Sequence, residues 1–461
     1  MKPILIEFNY NSNESLYVQL YKSIRDDIMS GELKGGEKLP SLRSLSKDLN
    51  ISITTAQLSY NQLLVEGYIT SKPQSGYYVA EVSSSKQREQ ELPFEDASYS
   101  EAFIASNPFL CDMECFDFIK WKKCNSKVFN DYSNLLLFES DPQGESLLRN
   151  QIAKYVYNAR GVKCSPSQIV IGAGTQQITS HLCRILSKVG INHVSLETPG
   201  YLPVQSMLQD NGFALSHIPV GKNGIDISKL PINIASAVYV SPSNQFPTGT
   251  VMPAGRRHQL LDWATDNNSI IIEDDYDSEL RYFGKPVPAL KSLDTNNNVV
   301  YLGSFSSTLF PAIKISYMVL PDFMSDIFQQ IKGQYTQTCS KAEQLTLALF
   351  MENGYYQTGI KKMRNLYAQK LSQAMSSFEK YGSSYIMPTN TQSGINLTLK
   401  IKTKKSAEKL CDEAKSLGLL MIPLSELTDQ ETTSLIFYYS KLPLTSIDSS
   451  IKEVLQLWQT N

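Results

Sequence analysis

Acidic, phenolic and small polar residues follow the apolar runs in the middle of this sequence, where they could hold a small molecule. Residues 269–273, SIIIE, lead into Asp274, Asp275 and Tyr276. Residues 299–302 and 315–320 are two further apolar runs, separated by the small-residue loop GSFSST. Such runs predict buried strands, and α/β sheets bind ligands beyond the carboxyl ends of their strands. The sequence therefore predicts a strand that delivers a carboxylate and a phenol to a pocket.

A second group of candidates suits an anion. The string IVIGAGTQQITSHL places Gly172 and Gly174 before a predicted helix that Thr175 is positioned to cap. Free backbone N–H groups at a helix N-terminus bind phosphate groups. Glycines after strands are common, so this string by itself is a weak signal. The other polar candidates near the predicted strand ends are Tyr201, Asn244 and Lys314.

Strands and helices alternate from about residue 107. This order predicts an α/β sheet with mostly parallel strands. After residue 340 the pattern predicts helices around a strand at 394–401 and a further apolar segment at 419–424. The predicted strands of the large sheet are 168–172, 193–196, 235–240, 269–273, 299–302 and 315–320, with helices such as 175–186 and 256–266 between them.

The N-terminal residues follow a different pattern. Every fourth residue from Leu16 to Ile28 is apolar, which predicts an amphipathic helix that Gly31 ends. Residues 41–49, capped by Ser41, and 53–66 predict two more helices, and 68–70 and 76–79 predict two short strands. This is the order of a winged helix-turn-helix, whose third helix lies in the major groove of DNA. The polar stretch 81–106 predicts a linker.

Composition restricts the class of protein. The chain has 461 residues, 42% hydrophobic and 19% charged, which predicts about three globular domains. Seven scattered cysteines without a C-x-x-C pair, beside four histidines, favour reduced thiols over disulfides or a metal site. The net charge of −2 indicates no class of partner. Without a signal-peptide pattern or an apolar run of roughly 18 residues, we expect a cytoplasmic protein.

The string GELKGGEKLPSLRSLSKDLNISITTAQLSYNQLLVEGYITSKPQSGYYVA resembles the GntR-type DNA-binding domain over its whole length. The resemblance implies double-stranded DNA as a partner, although a winged helix used only for protein contacts stays open. Ile53 departs from the arginine usual in the family, which removes a charged contact. The resemblance assigns DNA contacts to Arg43, Thr54, Thr55, Gln57, Tyr60 and Gly76.

The charge of this domain has a consequence for its assembly. Residues 1–80 contain eight Lys/Arg and eight Asp/Glu, so the domain is neutral. Non-specific DNA affinity comes mostly from neutralising phosphates, so we expect a single domain to bind weakly. A dimer on two half-sites about 34 Å or a multiple apart is therefore predicted.

Five strings resemble, in order and spacing, the fold-type I aminotransferase domain. With the winged helix in front, the chain resembles the MocR/GabR family of bacterial regulators. The implied fold class is multidomain: an α+β winged helix-turn-helix at 12–80, a linker at 81–106, a PLP-transferase-like α/β domain at 107–340 and a small α+β domain at 341–461. The strings are SDPQGESLLRNQIAKYVYNARGV, ETPGY, SPSNQFPTGTVMP, IIEDDYDSELRY and GSFSSTLFPAIKISYMVLP.

The resemblance further implies pyridoxal phosphate (PLP), a small-molecule effector and a homodimer. Asp274 would pair with the pyridine nitrogen, Tyr276 and Asn244 would bind the ring hydroxyl, and Tyr201 would stack on the ring. A carboxylate at the ring nitrogen keeps it protonated, which makes the ring an electron sink. The phosphate would be bound by the amides of Gly174, Thr175 and Gln176 together with Ser304, Ser306 and Lys314.

The chain departs from that family at the position of its chemistry. The family loop reads G-S/T-F-S-K-T, and here Ser307 replaces the lysine that forms the Schiff base; a hydroxyl cannot form an imine. Lys314 replaces an arginine and loses its bidentate fork. Pro203 and Ile436 stand where relatives place carboxylate-binding arginines. The family string G-L-H is here Gly394, Ile395 and Asn396.

Three functions remain open on the sequence. The first is a transcription regulator whose aminotransferase-like domain senses PLP, a PLP adduct or pyridoxamine phosphate without a covalent bond, and we favour it. The second is a working aminotransferase with an attached DNA-binding domain, against which Ser307 argues directly. The third is a regulator whose pocket no longer binds PLP. A purely structural site would not need the set Asp274, Tyr276, Tyr201 and Asn244, which counts against this alternative.

Overall fold

Two structural units make up the chain, Met1–Ser98 and Tyr99–Asn461. The computed structural model describes residues 4, 6–10, 12, 14–81, 115–282, 287–382, 384–424 and 431–459. The predicted linker at 81–106 lies outside the described residues except for Glu81. In this part of the chain every helix is too short or too polar to cross a membrane.

The first unit has three helices and a hairpin. Helix α1 (Leu16–Ser30) buries Leu20, Ile24 and Ile28 and ends at Gly31, whose φ of 81° is left-handed. Ser41 caps α2, as predicted, because its hydroxyl accepts the Ser44 N–H at 3.2 Å. Ser52 caps α3 in the same way, accepting the Thr55 N–H at 3.0 Å. The remaining bounds are α2 Leu42–Asp48, α3 Ile53–Val65, β1 Ile69–Lys72 and β2 Gly76–Val79.

The second unit alternates helices and strands, as predicted. Its helices pack on a large central sheet, and a smaller sheet follows near the C-terminus. In chain order the elements are α4 Phe118–Asp131, α5 Ser146–Arg160, β3 Ile169–Gly172, α6 Gly174–Lys188, β4 His193–Thr198, α7 Leu202–Asp210, β5 Ala214–Gly221, β6 Gly224–Ile225, β7 Ala237–Val240, α8 Ala254–Asp266, β8 Ile270–Asp274, β9 Val299–Ser304, β10 Ser316–Val319, α9 Asp322–Ile331, α10 Lys341–Glu352, α11 Tyr355–Gly382, β11 Ile386–Thr389, β12 Leu397–Lys402, α12 Ala407–Ser416, β13 Met421–Pro423, β14 Thr432–Phe437 and α13 Ile447–Gln459.

The large sheet has the order β3-β10-β9-β8-β7-β4-β5-β6. Strands β5, β4, β7, β8 and β9 are parallel neighbours, and β10 is antiparallel to both β9 and β3. The prediction of a mostly parallel sheet is therefore confirmed. Strands β7 and β10 are buried along their whole length, which explains their mostly apolar sequences.

The small sheet has the order β11-β12-β14-β13 and is antiparallel. Helices α11 and α13 cover it with an apolar core that includes Leu371, Phe378, Leu399, Phe437 and Leu455. Sequence patterns missed four of the strands in the two sheets, of which β6 has only two residues. Strand β5 is only partly buried and reads ALSHIPVG, β11 contains Pro388, and β14 was not separated from the polar residues around it.

Candidate functional site

Parallel strands β8 and β9 end side by side and carry the centre of the site. Asp274, the last residue of β8, pairs with Leu302 of β9. The Tyr239 hydroxyl, from β7, donates to Asp274 Oδ2 at 2.5 Å. Burial raises the pKa of Asp274 to about 6, and the hydrogen bond from Tyr239 opposes this rise. A cation such as a protonated pyridine nitrogen would stabilise the charged form, so Asp274 is suited to bind one.

Asp275, the second member of the acidic pair, already has partners. Arg160 donates to it twice, from Nε to Oδ2 at 2.7 Å and from Nη2 to Oδ1 at 2.9 Å. The Tyr301 hydroxyl donates to Oδ2 at 2.5 Å. Both charges are buried, and removing either one would leave the other without a counter-charge. Asp275 therefore holds β8 to α5 and β9, and Asp274 remains for a ligand.

Aromatic rings line the cleft beside Asp274. The Phe246 ring lies edge-on to Tyr201 and Tyr276, with centroid distances of 6.4 and 6.0 Å. Tyr201 is 43% exposed, so it keeps free ring surface for stacking. Burial raises the pKa of Tyr276 well above its usual value, and a hydrogen bond with Asn396 lowers it. Asn396 thus contacts the site, a role that the sequence left without a consequence.

Asn244 is a buried polar residue with one unmet hydrogen-bonding group. The Ser393 hydroxyl donates to Asn244 Oδ1 at 3.0 Å, which directs Nδ2 away from Ser393. Asn244 Nδ2 has no hydrogen-bond partner among the described residues. Burying an amide N–H without a partner costs about 1–3 kcal/mol. A ligand oxygen such as the ring hydroxyl of a pyridoxal compound would satisfy it.

The candidate anion-binding residues meet at the edge formed by β3, β10 and β9. Gly172 and Ser304 both pair with Ser316, so the ends of β3 and β9 lie in one row. The Ser316 hydroxyl and the Ser306 N–H both donate to Ser304 Oγ, at 2.9 and 3.3 Å. The Ser304 proton therefore remains available to an anion.

Helix α6 begins at the same edge, and here one prediction is wrong. Thr175 does not cap the helix, because α6 already begins at Gly174, after Ala173, and no side chain caps it. Gly174 has a φ of +86°, which glycine adopts without strain, and this starts the helix one residue earlier than expected. A Cβ at Gly174 would lie 3.9 Å from Lys314 Cδ. Of the predicted phosphate residues, Gly174, Thr175 and Gln176 therefore form this helix N-terminus and Lys314 lies beside it, while Ser304 and Ser306 lie at the end of β9 in the same row of strand ends.

Ser307 lies next to a carboxylate that the sequence did not single out. Asp277 follows β8 by three residues, as Ser307 follows β9 by three, and the two strands are parallel neighbours. Burial raises the pKa of Asp277 to about 6, the Ser307 hydroxyl lowers it and the Asp274 charge raises it. Asp277 is 1% exposed. The acidic string EDDYDSE could have drawn attention to Asp277, but the sequence does not show which of its carboxylates is paired.

In the first unit, α3 presents an exposed face for DNA. Thr54 and Gln57 are exposed on it, and Arg43 of α2 is exposed as well. Thr55 is partly buried, and its hydroxyl is 2.8 Å from Ser52 Oγ. Tyr60 was predicted to contact DNA, and this prediction is wrong. It is fully buried, and its hydroxyl donates to the Pro40 carbonyl at 3.1 Å, so it belongs to the core.

The wing adds two cations that the sequence analysis missed. Gly76 is exposed, with a φ of +109°, and a Cβ there would lie 3.6 Å from Lys38 Cε. Lys72 and Lys38 both lie over the Tyr78 ring, at 4.7 and 5.8 Å from its centroid. The isolated bridge between Lys38 and Tyr78 brings the two lysines together across the hairpin. They are candidates for phosphate contacts.

The residues present fit a phosphorylated pyridine ligand. Asp274 lacks a cationic partner among the described residues, Asn244 lacks an acceptor, and an uncapped helix N-terminus lies beside Lys314 and two serines. This set of donors and acceptors matches a ring nitrogen, a ring hydroxyl and a phosphate. The same edge of the sheet provides all three.

Comparison with known families matches both units. Residues 16–79 match the family described as "Bacterial regulatory proteins, gntR family". Residues 105–431 match "Aminotransferase class I and II". The first match includes the helices and hairpin of the first unit, and the second includes the large sheet.

Relatives match this chain over most of its length. The uncharacterized HTH-type transcriptional regulator YdeL of Bacillus subtilis is 37% identical, over 89% of each chain. The probable rhizopine catabolism regulatory protein MocR of Rhizobium meliloti is 30% identical, over 91% of this chain and 89% of its own. The pyridoxine biosynthesis transcriptional regulator PdxR of Corynebacterium glutamicum is 29% identical, over 84% and 83%.

Solved structures share the fold of the second unit. The kynurenine aminotransferase of Pyrococcus horikoshii, solved with PMP, is 22% identical with a TM-score of 0.65, over 77% of this chain and 91% of its own. The α-aminoadipate aminotransferase LysN of Thermus thermophilus, solved with a phosphopyridoxyl-leucine, is 21% identical with a TM-score of 0.66 and the same coverage. At these identities the likeness shows a fold-type I aminotransferase fold and nothing finer.

Proposed function

The chain belongs to the MocR-type transcriptional regulators, which join a GntR-family DNA-binding domain to an aminotransferase class I and II domain, and we propose that its second unit senses a vitamin B6 phosphate. The ligand is held without a covalent bond to the protein. Its binding changes the affinity of the protein for operator DNA. The PdxR relative, named for pyridoxine biosynthesis, supports this class of effector.

The observation that carries the proposal is the convergence of unsatisfied groups at one edge of the sheet. Asp274 is available for a pyridine nitrogen, and Asn244 Nδ2 for a ring oxygen. The start of α6, with Ser304 and Lys314 beside it, is available for a phosphate. A site kept only for dimerisation would not need three such groups together, because each costs stability while it has no partner.

Each residue then has a role in holding the ligand. Asp274 keeps the ring nitrogen protonated, with its carboxylate oriented by the Tyr239 hydroxyl. Tyr276, oriented by Asn396, and Asn244 bind the ring hydroxyl. Tyr201 stacks on the ring. When bound, the pyridoxal group would supply an electron sink, but the chain has no amine at position 307 with which to use it.

Transamination is therefore not the proposed activity. The Ser307 hydroxyl cannot form an imine or act as the amine that moves a substrate proton. Lys314 is an unsuitable replacement, because its side chain lies beside Gly174 at the phosphate end of the site. It is also exposed, at the surface of the site.

The DNA-binding part of the proposal needs two copies of the chain. The first unit has as many acidic as basic residues over positions 1–80, so a single copy has little phosphate-neutralising charge. We propose a homodimer that acts in the cytoplasm, with the domain boundaries 12–80, 81–106, 107–340 and 341–461 predicted above. Arg43, Thr54, Gln57 and Gly76, with Lys38 and Lys72, would contact the operator.

Equilibrium dialysis with PLP, then borohydride reduction and mass spectrometry, tests the binding mode. We expect one equivalent of PLP to bind. After reduction, we expect no residue of the pocket to carry covalently attached PLP. The variant Ser307→Lys is the matched control, because it restores an amine at that position and should gain an adduct at residue 307. Failure of the wild type to bind any B6 phosphate would refute the sensing function.

DNA binding is tested separately on promoter fragments from the region around the gene. We expect a duplex to be retained by the full-length chain and its affinity to change at least about threefold when the pocket is saturated. An affinity that is the same with and without ligand would leave the protein a regulator whose pocket does not signal.

A further inference from the structure

Asp277 is a buried carboxylate without a partner. It is 1% exposed, and neither of its carboxylate oxygens has a hydrogen-bond partner among the described residues. The Ser307 hydroxyl is close enough to lower its pKa but lies outside hydrogen-bond geometry. No ion pair of the described residues includes Asp277. A group in this condition destabilises the protein unless something supplies a donor or a cation.

The backbone holds Asp277 in this position. Its φ is +53°, a left-handed conformation that costs a non-glycine residue energy. It precedes the short 3-10 turn Ser278–Leu280, three residues after the end of β8, and the Leu280 N–H donates to its carbonyl at 2.9 Å. The backbone therefore keeps Asp277 at the end of the sheet, near Asp274 and Ser307.

The charge around Asp277 favours a cation. Asp274 raises the pKa of Asp277, so the two carboxylates act on each other. Glu197, also buried, has a pKa raised to about 8 by burial, with Asp274 adding to the rise. The hydroxyls of Tyr276 and Tyr438 lie within range of the Asp277 charge as well. Carboxyl groups thus gather here, and no basic side chain of the described residues acts on the pKa of Asp277.

We infer that Asp277 and Ser307 form the binding site for a primary ammonium group carried by the ligand, so that the pocket prefers pyridoxamine 5′-phosphate to B6 phosphates without an amine. This inference rests on the proposed function, because Asp274, Asn244 and the start of α6 must hold the ring and phosphate. The aminomethyl group then extends from the ring toward Asp277. Serine at position 307 is smaller than lysine, and its hydroxyl oxygen can accept a hydrogen bond from the ammonium group.

The apolar side of the pocket agrees with an amine that has no carboxylate attached. Ile436 is buried in an apolar cluster with Tyr438, Leu424 and Phe246. Pro203 has neither a charge nor an N–H group with which to bind a carboxylate. Ile436 and Pro203 therefore offer no charge to the carboxylate of an amino acid joined to the ring. Pyridoxamine 5′-phosphate brings only the ammonium.

The test compares two ligands that differ in one group. Pyridoxamine 5′-phosphate carries an ammonium where pyridoxine 5′-phosphate carries a hydroxyl, and neither reacts with surface lysines. Equilibrium dialysis at pH 7.5 gives a dissociation constant for each with the wild type and with Asp277→Asn. We expect the wild type to prefer the amine at least about tenfold. In Asp277→Asn that preference should fall to about twofold or less, chiefly through weaker binding of the amine.

Two controls separate the outcomes. Asp262→Asn makes the same change on the exposed face of α8 and should keep the wild-type preference. Thermal unfolding should show that Asp277→Asn is folded, because the change removes a buried charge without a partner. A ratio of the two constants that is the same in Asp277→Asn and the wild type overturns the inference alone. If the wild type binds neither ligand, the proposed function fails with it.

Discussion

Ile53 on α3 and Ser307 in the pocket both stand where the family pattern expects a basic residue, but their surroundings differ. Ile53 is 51% exposed at the start of the helix, among groups that water solvates. Ser307 lies beside Asp277, which is buried and has no partner among the described residues. A cation lost from a surface removes one interaction. Loss of a cation from a buried site leaves its counter-charge unpaired, and a ligand cation can then stabilise that charge.

The comparison also separates affinity from selectivity. At the surface, a missing cation lowers attraction to any DNA sequence, because phosphate contacts carry no sequence information. In the pocket, the missing cation changes which ligand is bound, because only some ligands carry the charge. We therefore expect variants at residue 53 to change the affinity for DNA, and variants around residue 307 to change which ligand is bound.

The largest effect is expected for Asp274→Asn. An amide cannot keep the pyridine nitrogen protonated, so the affinity for a B6 phosphate should fall on the order of 10- to 100-fold, as measured by equilibrium dialysis. The Asp262→Asn control should bind like the wild type. Unchanged affinity in Asp274→Asn would remove this residue from the ring-nitrogen role.

Arg43→Ala should lower DNA affinity by about tenfold and reduce the salt slope by about one. The slope is the change of log K with log salt concentration, measured by fluorescence anisotropy on a duplex. Arg25→Ala is the matched control, because Arg25 lies on α1 and donates to Asp26 at 2.7 Å. If the salt slope is the same for Arg43→Ala and the wild type, Arg43 does not contact phosphate.

Asp277 should also make the stability of the ligand-free protein depend on pH. Its pKa in the folded state, about 6, lies above the usual aspartate value of 3.8, so the folded state binds the extra proton. Its share of stability is therefore present below pH 3.8 and is lost as the pH rises through about 6.

Unfolding temperatures at pH 4.5 and 7.5 measure this share. Asp274 and Glu197 act with the same sign, so the comparison is between the wild type and Asp277→Asn, which share them. One pKa unit corresponds to about 1.4 kcal/mol, so the fall between the two pH values should be smaller in Asp277→Asn by about 2 °C or more. Equal falls would mean that Asp277 does not titrate in this range.

The smallest effect is expected for Ile53→Arg. The added charge should tighten non-specific DNA binding a few-fold and increase the salt slope by about 0.9, without a change in unfolding temperature. Val65→Arg adds the same charge at the other end of α3, where Val65 is 84% exposed. An equal gain in both variants would show that net charge, and not the position of residue 53, sets the affinity.

Local sequence chemistry predicted much of this molecule. The caps at Ser41 and Gly31, the apolar runs of the central strands and the order of elements in the first unit depend on neighbours in the chain. Where an outcome depends on packing, the predictions were incomplete or wrong. Tyr60 lies on the predicted DNA-binding helix. Its burial depends on the core residues that pack around it, and the local sequence does not show them. Strand β5 was missed because its burial is partial.

The string EDDYDSE shows most clearly which properties follow from the sequence and which depend on the fold. From the sequence we inferred that several carboxylates follow a buried strand beside a loop without a lysine. The fold then pairs Asp275 with Arg160, gives Asp274 a tyrosine hydroxyl and leaves Asp277 without a partner among the described residues. The reason is that desolvation and pairing depend on residues far away in sequence, such as Arg160 and Ser307, which the sheet brings to the same edge.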